Sequence, residues 1–513
     1  MKNLKEEQVT PHDGQQTSPW DLTPLQIKEH ALNIQSQVFD VIVIGGGITG
    51  TTTALLLQES GKKVLIVDAY QPGFGTTGGT SAHINTFADT TYKEAADAFG
   101  NDGAKLFAEA VNEGYDLIKN LIDKYSIECD YAEKTGYLYA EDDDQAKQLE
   151  DVFNGMNDVG VDAGYIDKVP TPVPYQKALL IPGQAQFHPV KYLDGLLNAF
   201  QKAGGVLLNG TMVDGLEKSD NGLVVKAGEV EFKAAKVVYA THIPPKITSY
   251  SFRCAPYRSY VLAVKLKSRT YPDALIYDLQ EPYHYFRTHE IDGEQLLLVG
   301  GNDHKTGHDD PEKAFADLEK YTRNYYNVSS VKYKWSSQYY IPADGLPYIG
   351  EMSEAPEGVY CATGYNGNGM MLGSIAARII SDLIVIGESK YQEIFSPGRI
   401  KPIAGITDFI KENADVALHF ITDRFKIKDT DSLKRIRNGS GKVVELDGEK
   451  IAAYRDDTGT LHCLNPVCTH AKCIVDWNAA EKSWDCPCHG ARFDIDGKVL
   501  TGPADRDLEK LEI

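Results

Sequence analysis

Apolar positions change their period several times along the chain, and each change marks a different unit. Asp40–Ile44 is a short apolar strand, the run Thr51–Gln58 that follows its glycines is a helix, and Lys63–Asp68 is a second strand. This order is a βαβ unit, the start of a doubly wound sheet. From about Thr91 to Tyr125 the period becomes helical, with Phe107, Val111, Leu117 and Leu121 on one face. Strand character returns at Tyr137–Ala140, and the proline-rich stretch Val169–Tyr175 is a loop. Strands dominate between Val206 and Leu298, among them Lys236–Ala240, Tyr260–Lys265 and Gln295–Val299. Val359–Thr363 is a buried strand and Met370–Ile386 a helix. Ile406, Phe409, Ile410, Val416, Phe420 and Ile421 then repeat at helical spacing, opposite Asp408, Lys411, Glu412 and Asp415. Mixed charge on that second face predicts a connecting helix packed on its own protein rather than on a membrane. After Asp431 short strands with Gly and Asn turns predict a small all-β domain. Residues 1–39 read as an extension whose apolar features are Trp20, Leu22 and a weakly periodic stretch around Leu25–Ile34.

The length of 513 residues agrees with several folding units. Lys and Arg number 52 against 73 Asp and Glu, a net charge of −21 that repels nucleic acid and anionic lipid. Met1–Trp20 is too polar for a signal peptide, and the apolar stretches Val41–Leu57 and Ile379–Ile386 are interrupted or short. The expectation is a cytoplasmic protein without a transmembrane segment. Cys129, Cys254 and Cys361 are scattered, as small buried apolar residues are. The other five cysteines fall between Cys463 and Cys488 and ask for a different explanation.

Gly45-Gly-Gly47-Ile48-Thr49-Gly50 satisfies G-x-G-x-x-G directly after a strand. Ala54 lets the helix approach the sheet, Gly61 ends it, and Asp68 closes the second strand where a carboxylate can accept from ribose hydroxyls. The helix N-terminus would stabilise a pyrophosphate. Val299-Gly-Gly-Asn-Asp lacks the spacing for a second fingerprint, which favours bound FAD alone.

Across about residues 40–390 the chain resembles the D-amino-acid oxidase/glycine oxidase superfamily of FAD-dependent enzymes. The stretches that carry the resemblance are Gly75–His83, Phe187-His-Pro-Val190, Ala240-Thr-His242, Trp335 through Pro347-Tyr-Ile-Gly350, and Val359–Gly373. The resemblance implies a Rossmann-like α/β FAD-binding domain with an interleaved α+β substrate domain. It makes Ala69, Thr80, Ser81, Val213, Ala240 and Thr241 cofactor contacts, and Gly364, Asn366, Gly367, Gly369 and Met370 neighbours of the flavin ring. His242 departs from it, standing where the family usually has glycine. Gly79-Thr-Ser-Ala-His83 looks like the segment through which dimethylglycine and sarcosine dehydrogenases attach FAD, so His83 is either a covalent link or a hydrogen-bonding histidine of the pocket.

Cys468-Thr-His470 and Cys486-Pro-Cys-His489 supply two Cys/His pairs. A Rieske cluster needs two thiolates on one iron and two imidazoles on the other; a structural zinc site could use the same four residues. One residue between Cys468 and His470 is tight for a zinc hairpin. Gly490, Phe493-Asp494 and Gly502-Pro-Ala504 further resemble Rieske proteins of respiratory complexes and ferredoxin-type carriers over about residues 429–513. That resemblance implies a [2Fe–2S] cluster on Cys468, His470, Cys486 and His489, with Cys473 and Cys488 paired as a disulfide. Ala491 replaces a serine that donates to a bridging sulfide in high-potential relatives, which predicts a lower potential. Lys472 replaces a glycine, and its charge would offset part of that fall.

The expected layout is an extension at 1–39, an FAD-dependent oxidoreductase domain at 40–400, a connecting helix at 401–428 and a Rieske domain at 429–513. Within 40–400 the FAD-binding parts fall at about 40–90, 180–250 and 335–390, and the substrate parts at about 91–179 and 251–334. The resemblance implies a dehydrogenase oxidising an amine or amino-acid-like substrate, with electrons passing from flavin to cluster and on to an acceptor protein or quinone. Arg287, Arg258, Tyr339 and Tyr340 are candidates to contact substrate, Arg287 as a bidentate carboxylate partner. Two alternatives are an NAD(P)H-fed reductase serving a partner oxygenase, and a non-catalytic redox sensor.

Overall fold

The computed structural model describes residues 12–28, 34–268, 270–399, 433–446 and 448–512. The expected connecting helix at 401–428 lies outside them.

The first sheet runs in the order Tyr348–Glu351, Val359–Thr363, Val230–Tyr239, Val38–Ile44, Val64–Val67, Val206–Leu208. Along this order all neighbours are parallel except the outer pair Tyr348–Glu351 and Val359–Thr363, and the hairpin Gly215–Ser219 and Gly222–Ala227 adds antiparallel to Val230–Tyr239. Val64–Val67 and Val359–Thr363 are buried at every position, the mark of strands covered on both faces. Helices Ile48–Glu59 and Gly369–Val385 pack on each other against this sheet. The βαβ start therefore forms where the apolar pattern puts it.

The second sheet has nine strands, built from His83–Ile84, Ala132–Ala140, Gly164–Tyr165, Lys177–Gln186 and the meander from Cys254 to Pro342. Its edge strand Val328–Pro342 runs through the position 335 at which the pattern placed a boundary. The helix Tyr92–Tyr125 begins with a capping box between Thr91 and Glu94 and is kinked at Gly100 (φ 76°).

Residues 433–512 form two small antiparallel sheets, three strands over 440–464 and four over 476–501. Among the described residues no helix is long and apolar enough to cross a membrane.

The extension differs from its reading as an appendage. Trp20 is fully buried, donates to the Thr80 carbonyl at 2.8 Å and lies edge-on to His188 and His289. Asp13 is buried between the two larger units, pairing with Arg492 at 3.1 Å and Arg258 at 3.7 Å. An isolated Trp and Asp in a polar stretch carry no periodic signal, so only the packing shows this strap.

Candidate functional site

Strand Val38–Ile44 delivers the chain to Gly45, whose φ of 104° suits glycine and where a Cβ would sit 2.5 Å from the Ala240 carbonyl oxygen. A Cβ on Gly50 would fall 1.9 Å from the Gly45 carbonyl oxygen, so this glycine serves the close packing of turn and helix. Asp68 accepts from the amides of Gly46 at 2.6 Å and Tyr70 at 2.9 Å; burial nevertheless pushes its carboxyl up.

These residues open onto a cavity of about 310 Å³. Gly45, Gly47, Ile48, Thr49, Asp68 and Ala69 line one end, and Thr80, Ser81, His83, Val213, Ala240 and Thr241 its flanks. Asn366, Gly367, Gly369 and Met370 line the other. Gly50 and Gly364 are the two expected contacts outside its lining. Gly364 instead makes a left-handed turn (φ 79°) against Pro342 and Cys254.

The cavity fits a dinucleotide on its own features. Helices Ile48–Glu59 and Gly369–Val385 both start at its wall, and neither N-cap residue caps its helix through a side chain, although the Ile48 amide donates to the Thr77 hydroxyl at 3.1 Å. Unpaired N–H groups at such ends attract anionic oxygens. A Cβ on Gly75 or Gly369 would meet nothing within 4 Å, so the wall leaves room there.

His242 takes φ 68°, so it adopts the left-handed backbone for which glycine is the usual residue. Its ring lines the cavity, stands edge-on to Tyr340 at 4.7 Å, and burial lowers its pKa to about 4. His83 places Nδ1 2.9 Å from the Ser81 hydroxyl, with the rings of Tyr277 and Tyr285 each 5.5 Å away. Burial, with Arg287 nearby, lowers it to about 3, so the ring is neutral, and its buried Nε2 has no partner.

The second site lies on two loops of the C-terminal unit. Cys468 and Cys486 are fully buried, and the rings of His470 and His489 stand edge-on at 4.9 Å. Both ring nitrogens of His470 and Nδ1 of His489 are buried without partners. Orphaned buried imidazoles beside two buried thiols fit a metal group held by two sulfurs and two nitrogens. Cys473 and Cys488 form the expected disulfide between the loops. Cys473, Cys486 and Cys488 lie close enough to share an ion, but the disulfide removes two of these sulfurs as ligands. Lys472 has φ 64°, again a side chain where the backbone favours glycine.

The two sites adjoin. The Tyr340 hydroxyl donates to the His489 carbonyl at 3.1 Å, and the Gln338 amide donates to the Gly490 carbonyl at 3.0 Å. Gly490 (φ 75°) has no room for a Cβ, which would lie 2.6 Å from Pro256. The segment Val499–Asp505, a strand and the turn after it, completes the wall of the dinucleotide cavity. Arg492 pairs with both Asp485 and Asp13, and Ser336 donates to Glu481 across the same interface.

Of the four residues expected to contact substrate, only Tyr339 lines the cavity; its hydroxyl donates to Asp303 at 2.8 Å. The other three need correcting. Arg287 is fully buried and donates to the carbonyls of Ala82 and Phe187, so its fork is occupied. Arg258 is committed to Ser336 and the interface carboxylates. Tyr340 belongs to the junction between the sites. Asp89, Tyr285 and Gln338 also line the cavity and were not among the residues expected there. Tyr283 and Tyr285 sit at alternate positions of one strand-like run with Arg287, and they, not Arg287, line the cavity.

A family profile described as FAD dependent oxidoreductase matches residues 40–383, and one described as Rieske [2Fe-2S] domain matches residues 424–512. The protein YhfW of Bacillus subtilis (strain 168), provisionally a Rieske 2Fe-2S iron-sulfur protein, is 34% identical over 92% of this chain and 93% of its own. Gamma-glutamylputrescine oxidoreductase of Escherichia coli (strain K12) is 24% identical over 68% of this chain and 84% of its own. The crystal structure of glycine oxidase from Geobacillus kaustophilus superposes with a TM-score of 0.56 at 18% identity, over 71% of this chain and 99% of that one.

Proposed function

The chain belongs to the FAD-dependent oxidoreductase family and carries a Rieske [2Fe–2S] domain, and from this we propose that it is a dehydrogenase of an amine or amino-acid-like substrate whose electrons leave through the cluster to an acceptor protein or quinone. It is an oxidoreductase that binds FAD and a [2Fe–2S] cluster. When bound, the flavin accepts a hydride from the substrate and the cluster accepts electrons one at a time.

The chain's own residues divide the work. Gly45, Gly47 and the first turn of Ile48–Glu59 hold the pyrophosphate, and Asp68 the ribose. Gly367, Gly369 and Met370 would lie beside the flavin ring, and the N-terminus at Gly369, without a side-chain cap, would favour negative charge there. Cys468 and Cys486 hold one iron, His470 and His489 the other, and the Cys473–Cys488 disulfide fixes both loops. The working units are 40–400 and 429–513.

One observation carries the electron route: His242 lines the cavity and touches Tyr340, whose hydroxyl holds the His489 backbone. These contacts supply a continuous run of protein from the cavity wall to the His489 loop. The same docking favours an internal outlet over a separate carrier.

Anaerobic rapid mixing of the holoprotein with a panel of amines and amino acids tests this. We expect the flavin to bleach first and the cluster in step with it. Cys486→Ser should keep flavin bleaching and lose reduction of an added one-electron acceptor. Bleaching by NADH with none by any amine or amino acid would overturn the reading in favour of a pyridine-nucleotide-fed reductase.

A further inference from the structure

The cavity has an unusual balance of charge. Among the described residues lining it there is no Lys or Arg, while Asp13, Asp68, Asp89 and Asp505 all face it. Asp13 is neutralised by Arg492 and Arg258, and Asp505 lies 3.6 Å from Arg506. Asp68 belongs to the dinucleotide end. Asp89 is left, accepting from the Gly367 amide at 2.9 Å and from Asn368, with no cation beside it.

Around Asp89 the wall is built of tyrosines. The Tyr283 and Tyr285 rings lie tilted at 38° with centroids 5.8 Å apart, and Tyr339 completes the group. The Tyr285 hydroxyl is within 3.0 Å of the Ser259 hydroxyl, and the Tyr339 hydroxyl is engaged by Asp303. Behind Tyr339, the second carboxylate oxygen of Asp303 is buried without a partner. Both histidines of the cavity, His83 and His242, are neutral.

We propose that the substrate is a cationic amine carrying no carboxylate at its reacting end, recognised by the Tyr283, Tyr285 and Tyr339 rings with Asp89, while Asp303 adds its charge from behind Tyr339. The inference rests on the amine or amino-acid reading above and narrows it. A carboxylate buried here would lose its water without gaining a cation, whereas burial without such a partner is costly. An ammonium meets aromatic faces, which attract cations, and the Asp89 carboxylate, which has acceptor capacity left. Arg287 does not supply the missing cation: it is outside the cavity lining, and its Nη1 and Nη2 donate to the Ala82 and Phe187 carbonyls.

Matched pairs that differ only by the α-carboxylate test this: benzylamine with phenylglycine, pentylamine with norleucine, and butane-1,4-diamine with ornithine. Binding is measured by calorimetry on dithionite-reduced holoprotein, where turnover is blocked, and flavin bleaching is followed in the oxidised protein. We expect the amine of a responding pair to bind at least tenfold tighter than its amino acid. Asp303→Asn should weaken that binding at least tenfold, and Tyr339→Phe, which keeps the ring, should weaken it less. Tighter binding of the amino acid in every responding pair overturns this inference and leaves the dehydrogenase reading standing. No binding and no bleaching by any of the six overturns both.

Discussion

The sharpest test of the strap is Asp13→Asn. Asp13 lies almost entirely out of solvent, 3.1 Å from Arg492 and 3.7 Å from Arg258, and accepts from the Thr501 hydroxyl at 3.0 Å. Burial works against its charge, but Arg258 and Arg492 outweigh burial and hold the carboxyl below its ordinary value. A depressed carboxylate contributes stability above its unfolded pKa and loses it only as pH falls through the depressed value. At neutral pH the substitution therefore removes a full charge. Deleting one partner of a buried pair commonly costs about 3–5 kcal/mol, because the other is left bare. Here neither guanidinium is left bare, since Arg492 keeps Asp485 at 3.0 Å and Arg258 keeps Glu481 at 3.9 Å. What remains is one close charge-assisted bond, one longer pair and a hydroxyl contact, together about 2–3 kcal/mol. For a unit the size of the Rieske domain that corresponds to a fall of roughly 8 °C or more in its transition. Thermal unfolding of the holoprotein, followed by the visible circular dichroism of the cluster, reads that transition directly. A fall below about 2 °C, with iron content unchanged, would refute the idea that this carboxylate fastens the domain.

Four further outcomes are expected. Gly50→Ala puts a methyl 1.9 Å from the Gly45 carbonyl oxygen; the forced shift should cut the flavin-to-protein ratio about tenfold or more, read by absorbance. Ala491→Ser should raise the cluster potential by about 60 mV or more in a redox titration, the worth of one hydrogen bond to a charged sulfide for a single electron. Burial raises the Asp303 carboxyl to about 7, with the Ser259 and Tyr339 hydroxyls and the charge of His284 opposing and Asp89 reinforcing. Asp303 is thus protonated below that value, and amine binding measured by calorimetry should tighten about tenfold from pH 6 to pH 8 as the carboxylate forms. Acid precipitation should leave flavin in the supernatant, because His83 is engaged by Ser81 and enclosed by Tyr277 and Tyr285; flavin in the pellet would establish a histidyl link.

The parts legible in the sequence are those whose chemistry is local. The glycines after Ile44, the acid closing the second strand and the two Cys/His pairs each meet a requirement within a few residues, so spacing alone announces them. The buried parallel strands show in the same way, because covering both faces demands unbroken apolar runs such as Val64–Val67. Arg287, Arg258 and Tyr340 show the opposite case. Whether an arginine meets substrate or carbonyls depends on what the other strands bring to its guanidinium, and Ala82 and Phe187 lie far from Arg287 in sequence. Trp20 and Asp13 are single residues without period, so nothing in the order of residues marks them as the fastening of two units. The acidic, tyrosine-lined end of the cavity is likewise assembled from Asp89, Tyr283 and Tyr339 on separate segments. Local chemistry determined that the chain holds FAD and an iron–sulfur cluster. Only tertiary packing decided that the two sites share a wall, because contact between distant segments is a property of the folded chain.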